Sequence, residues 1–314
     1  MAGFVGILRT DTGRIRTGWR VLLFFLLLPV FVVSFSLIPF QGLNWETVPV
    51  LLGSLLAGWI LLALDGRKPG ALGFYLSPGV PLEGLLGLSL GVGVAALVVL
   101  GMVLLGGIRW GPEAGSAGDF LRDGAIALWF FTLPAAAEEA LFRGYFLQAL
   151  AEKWGALGAL WGTSLIFGVV HLTNPNTSPL GIGNIVMAGV FLGAVYLKTA
   201  SLWWATGAHL GWNWALGFLA DLPVSGLELA DSPLYEGLPQ GAAWVSGGAF
   251  GPEGSLLATL GFALAAFWVW RSPRIKPGKK ALDIRPLIRS APGWMPRLQR
   301  MEGASELEDS GGQA

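Results

Sequence analysis

Cysteine is absent from the 314 residues. That excludes a disulfide scaffold, a thiolate zinc site and a cysteine nucleophile. Charge is scarce, at 13% of residues, where a soluble domain carries about 25%. Neither sign is in excess, with 20 basic against 20 acidic residues, so no basic composition points to nucleic acid. Histidine occurs only twice. What remains is apolar: 54% hydrophobic residues and a mean hydropathy of +0.62. These values exclude a disordered chain, a coiled coil and an ordinary cytosolic globule, and they point to an all-α, polytopic membrane protein.

A helix needs about 20 apolar residues to cross a bilayer. Eight stretches qualify or nearly do: 19–40, 47–64, 81–106, 124–150, 157–171, 181–198, 201–220 and 254–270. About eight transmembrane helices are therefore expected. The first is too long for a signal-peptide core and lacks an A-x-A-like cleavage site, which makes it an uncleaved anchor. Eight spans put both termini on one side, and the basic residues agree. Arg9, Arg14, Arg16 and Arg20 precede the first span, Arg67 and Lys68 follow the second, and Lys153 and Lys198 lie in the next two connections on that side. The segment after Arg271 is also basic. The opposite side holds Arg109, Arg122 and an acidic 221–253 loop with Asp221, Glu228, Asp231, Glu236 and Glu253. The positive-inside rule then makes both termini cytoplasmic, in what is expected to be a bacterial inner membrane.

The expected organisation is a basic cytoplasmic segment at 1–18, helices 1–3 within 19–120, a core of helices 4–8 within 121–272, and a disordered cytoplasmic tail at 273–314 whose basic part lies on anionic lipid. Many of the 15 tryptophans fall near span ends, as an interfacial belt requires. Gly87, Gly91 and Gly93 form a helix-packing face.

Charges inside a span are costly and mark function by default. The fourth span carries Glu138, Glu139 and Arg143. Glu139 and Arg143 are four residues apart and share a face, so they can pair. Glu138 lies about 100° away around the helix and has no partner there. Pro134, one turn earlier, can kink the helix. Both histidines fall in spans: His171 ends the fifth, one turn after Phe167, and His209 lies in the seventh, with Asn213 four residues on and on the same face. Counting about 1.5 Å per residue from the cytoplasmic ends puts Glu138 at about 18 Å, His171 at about 21 Å, His209 at about 12 Å and Asn213 at about 18 Å. Three helices thus bring polar groups to one layer of a core about 30 Å thick.

Glu138-Glu139-x-x-x-Arg143, Phe167-x-x-x-His171 and His209-x-x-x-Asn213, in that order and on three separate spans, resemble the three motifs of the CPBP intramembrane protease family. That family, also called Abi, groups type II CAAX prenyl endopeptidases with bacteriocin-processing and self-immunity proteins. The resemblance covers about residues 124–220, under a third of the chain. It implies a hydrolase in which Glu138 and His171 activate water. His209 and Asn213 would face the oxyanion, while Glu139 and Arg143, with Phe167, would support the site.

Two chemistries stay open. Two histidines and a glutamate are a ligand set found in hydrolytic zinc sites, so Glu138, His171 and His209 would be the ligands of a metalloprotease. In a metal-free mechanism, His209 instead serves as an oxyanion donor. The expected partners are membrane lipid and a peptide or lipidated protein substrate, with no nucleic acid. Two other functions fit the same residues: a proton- or ion-coupled transporter relaying through Glu138 and the histidines, or a non-enzymatic membrane immunity or scaffold protein in which the motifs only hold the fold.

Overall fold

The computed structural model describes residues 8–11, 13–39, 42 and 45–290. Among the described residues, five stretches are long and apolar enough to cross a membrane: Thr17–Ser36, Trp45–Leu64, Val80–Leu104, Ala117–Thr173 and Pro179–Thr199. The chain is an all-α integral membrane protein.

Its α-helices of five residues or more are, in order, α1 (Thr17–Ser36), α2 (Val48–Leu64), α3 (Val80–Leu104), α4 (Ala117–Glu139), α5 (Leu147–Val170), α6 (Pro179–Thr199), α7 (Leu202–Trp214), α8 (Leu256–Arg271) and the short α9 (Lys279–Asp283), among the described residues. Strand β1 (Ile108–Pro112) pairs antiparallel with β2 (Tyr235–Pro239) in the register Ile108↔Pro239 to Pro112↔Tyr235. Each of the eight expected spans corresponds to one of α1–α8, with two differences. The fourth and fifth run together as one 57-residue stretch, divided by Gly155, whose φ of +73° is a conformation glycine adopts without penalty. The eighth is shorter than a full crossing, while the seventh runs on from α7 through a π-helical turn at Ala215–Leu219.

α6 is the central helix, with 72% of its apolar window buried, whereas α1 lies at the edge with 11%. α3 and α7 meet along small residues. A Cβ at Gly87 would come within 2.3 Å of the Trp204 carbonyl, and one at Gly91 within 2.0 Å of the Ala208 carbonyl. From α7, Gly207 and Gly211 approach the Gly84 and Leu88 carbonyls as closely. Backbones held this near need glycine on both sides. His209 lies about 200° around α7 from Gly207, so the face opposite this contact presents the imidazole to α4. Gly93 does not belong to that packing face, because a Cβ there meets nothing within 4 Å.

The connections expected on the basic side do meet at one end of the bundle. Arg14 and Arg20 both pair with Asp65 and Glu152, at 2.8 and 3.2 Å for Arg14 and at 2.7 and 2.5 Å for Arg20. The Arg67 guanidinium donates to the Arg285 carbonyl. The β1–β2 pair joins connections of the other end. There Asp221 organises the acidic loop by accepting from the Ser232 and Gly237 amides, at 2.7 and 2.8 Å.

The disordered tail expected from residue 273 is corrected over 273–290. Ile275, Ala281, Leu287 and Ile288 are buried, and the Leu287 amide donates to the Gln148 side chain at 2.8 Å. Those four apolar residues, scattered among prolines and basic residues, have a docking face that the polar average concealed. Residues 291–314 of that expected tail lie outside the described residues.

Candidate active site

The Glu138-Glu139 motif closes α4. The helix starts from a capping box, in which Ser116 accepts from the Asp119 amide and Asp119 accepts from the Ser116 amide. It runs on through Pro134. The change of direction comes later, in a π-helical turn at Ala140–Phe146, where Gly144 has ψ −116°. A second π-helical turn, Ala215–Leu219, follows His209 and Asn213 at the end of α7. Such wide turns are rare and concentrate at functional sites.

The two adjacent glutamates have separate environments. Glu139 is fully buried, and one of its oxygens accepts from both Arg143 Nη1 and His209 Nδ1, each at 2.9 Å. The pairing expected from the four-residue spacing is therefore present, and His209 joins it. Arg143 also donates to the Gly189 carbonyl at 3.2 Å and lies over the Phe167 ring, 4.5 Å from its centre. Glu138 keeps a third of its side chain exposed. Its Oε2 has no hydrogen-bond partner among the described residues and lies 3.8 Å from His209 Nε2. That separation is beyond direct hydrogen-bond reach.

His171 donates from Nδ1 to the Phe167 carbonyl at 2.7 Å. Because a carbonyl only accepts, Nδ1 carries the proton and Nε2 is left as the acceptor. The Phe167 ring lies 4.6 Å from His171 and 6.3 Å from His209, which explains its place in the motif: it fixes both imidazoles and the arginine. Glu138, Phe167, His171, His209 and Asn213 all line one cavity of about 260 Å³. Thus every residue expected to act on substrate faces the same space, with Glu139 and Arg143 behind it.

A zinc ion held by Glu138, His171 and His209 requires donors within about 2.0–2.2 Å of one point. Among the described residues no group of three or more His, Cys, Asp or Glu is placed to hold a metal ion. Glu138, His171 and His209 are not gathered as such a group in this arrangement.

A further carboxylate of the cavity lining was not legible in the sequence. Glu253, read there as one more acidic loop residue, is only 3% exposed and lines the cavity. It accepts from Trp212 Nε1 at 2.9 Å and from the Ser225 hydroxyl at 2.7 Å and amide at 2.5 Å. Asn174, three residues past His171, donates to the Ser225 carbonyl at 3.0 Å. This network fastens the 221–253 loop across the cavity. Trp212 is correspondingly no belt residue, and the only sequence signal was its position beside Asn213.

No curated protein matches the chain. Residues 122–215, which carry all three motifs, match the family model described as type II CAAX prenyl endopeptidase Rce1-like, and so bear out the family resemblance of the motifs.

Proposed function

We propose that the protein is an intramembrane endopeptidase that hydrolyses a peptide bond of a membrane-associated, lipid-modified substrate with water activated by Glu138 and His171. The observation that carries this reading is the shared cavity: two groups able to take a proton from water, and two able to donate to an oxyanion, around one space. Glu138 takes a proton from water while His171 Nε2 holds the other hydrogen. The water oxygen bonds to the carbonyl carbon, and the carbonyl oxygen takes the charge. Asn213 Nδ2 and His209 Nε2 donate to that oxyanion, which requires His209 to carry both protons because Nδ1 is committed to Glu139. The carbon–nitrogen bond then breaks as the amine takes the proton from Glu138. Glu139 and Arg143 act through His209 as positioning residues.

The charge distribution supports an orientation with the basic end of the bundle at the cytoplasmic face of a bacterial inner membrane, and with the Glu253-fastened loop on the opposite side. The test is cleavage of a fluorogenic prenylated peptide by protein reconstituted in vesicles. Glu138→Ala and His171→Ala are expected to abolish cleavage and leave thermal unfolding in detergent unchanged. Full activity in either variant overturns the reading. Loss of stability without any wild-type cleavage favours the scaffold alternative, and Glu138-dependent ion flux favours the transporter.

A further inference from the structure

Away from the catalytic cavity, a groove of about 880 Å³ runs along the outside of the bundle between α3, α7 and α8. Its walls are apolar, formed by Leu90, Leu97, Leu260 and Leu264 among others. Gly93 leaves it open, since a side chain there would meet nothing. One end is different. Trp204 at the start of α7, Trp268 in the last turn of α8, and Arg274 just beyond α8 close the groove there. Tryptophan and arginine together mark the level at which a chain leaves the hydrocarbon. Arg274 is exposed, and its guanidinium has no hydrogen-bond or ion-pair partner among the described residues, only its amide being engaged, with Ser272.

Length selects the occupant. The groove spans Leu86 to Val98 of α3, which is about 18 Å at about 1.5 Å per residue. A partner helix would need the full apolar layer of about 30 Å, whereas a lipid chain reaches about half of it. Charge selects the headgroup. Arg271, Arg274, Lys276, Lys279 and Lys280 follow one another without an acidic residue from Gly254 to Leu282, and such basic stretches at the interface attract anionic lipid. We propose that this groove binds one acyl chain of an anionic glycerophospholipid, with the phosphate on Arg274. The site is separate from the cavity and does not depend on the proposed reaction.

The test is native mass spectrometry of protein reconstituted in phosphatidylglycerol and phosphatidylethanolamine and re-extracted in mild detergent. Wild type is expected to retain one phosphatidylglycerol per chain. Gly93→Leu, which fills the groove from an open position, should lose it. Arg274→Gln, outside the helices and so safe for folding, should retain lipid but lose the preference for phosphatidylglycerol. Equal retention in wild type and Gly93→Leu overturns the proposal. So does a wild type that retains no lipid, an undiminished preference in Arg274→Gln, or a lipid-free dimer that Gly93→Leu dissociates.

Discussion

Glu138 and Glu139 are neighbours in sequence with opposite physical situations, and substitution separates them. Glu138 is partly exposed and its Oε2 is unpartnered, so Glu138→Gln removes little from the fold and is expected to change stability by less than about 1 kcal/mol while abolishing cleavage. Glu139→Gln leaves the buried Arg143 without its carboxylate and His209 without its orienting acceptor. Breaking a buried pair on one side costs about 3–5 kcal/mol, so thermal unfolding in detergent should fall markedly, with activity lost as well. The double variant Glu139→Gln/Arg143→Met should recover part of that stability, because no charge is then left unpaired, and none of the activity. Much of this was legible beforehand. The four-residue spacing gave the Glu139–Arg143 pair and left Glu138 over, because helix geometry is fixed. The junction of His209 with Glu139 was not legible, nor was the burial of Glu253, because both depend on contacts between segments 70 and 41 residues apart.

The helices were recovered almost wholly from apolar runs, since a segment in lipid must satisfy its backbone within itself. Their ends and faces were harder. Pro134 was the visible candidate for a kink, yet the turn comes at Gly144, and nothing in the local sequence ranks one above the other. The glycines of α3 show the same limit: three lie within seven positions, but only Gly87 and Gly91 touch α7, while Gly93 faces open space. A pair of substitutions exposes the difference. Gly91→Ala sets a methyl group 2.0 Å from the Ala208 carbonyl, a backbone atom that can move only with α7. This variant should unfold at a lower temperature and lose activity, because α7 carries His209 and Asn213. Gly93→Ala meets nothing and replaces glycine inside a helix, which should leave stability equal or raise it by about 0.5–1 kcal/mol. Unfolding curves of the two variants side by side check both expectations.

At the scale of the whole molecule, the basic residues were read as a topological signal and prove also to hold the bundle together. Arg20, Asp65 and Glu152 are nearly enclosed, with side-chain exposures of 5%, 3% and 10%, whereas Arg14 is 40% exposed. Arg20→Leu leaves Asp65 and Glu152 only the half-exposed Arg14 as a cation, and should destabilise by up to about 3 kcal/mol, the lower end of the cost of breaking a buried pair. Arg14→Gln should cost far less, because solvent screens the lost pair. The segment before α1 is thereby tied to the ends of α2 and α5, and the face on which it lies becomes the face of the entire basic end. The lack of cysteine makes that orientation measurable without background. Lys280 and Glu236 are exposed, the first in α9 beyond the basic end of α8, the second in β2 beside the acidic loop. Single variants Lys280→Cys and Glu236→Cys, treated in intact cells with a maleimide that does not cross membranes, should react only at position 236. After the membrane is permeabilised both should react. The reverse pattern would put the basic end outside. It would then move the access to Glu138 and His171, which the loop fastened by Glu253 covers from the acidic side, to the cytoplasmic face.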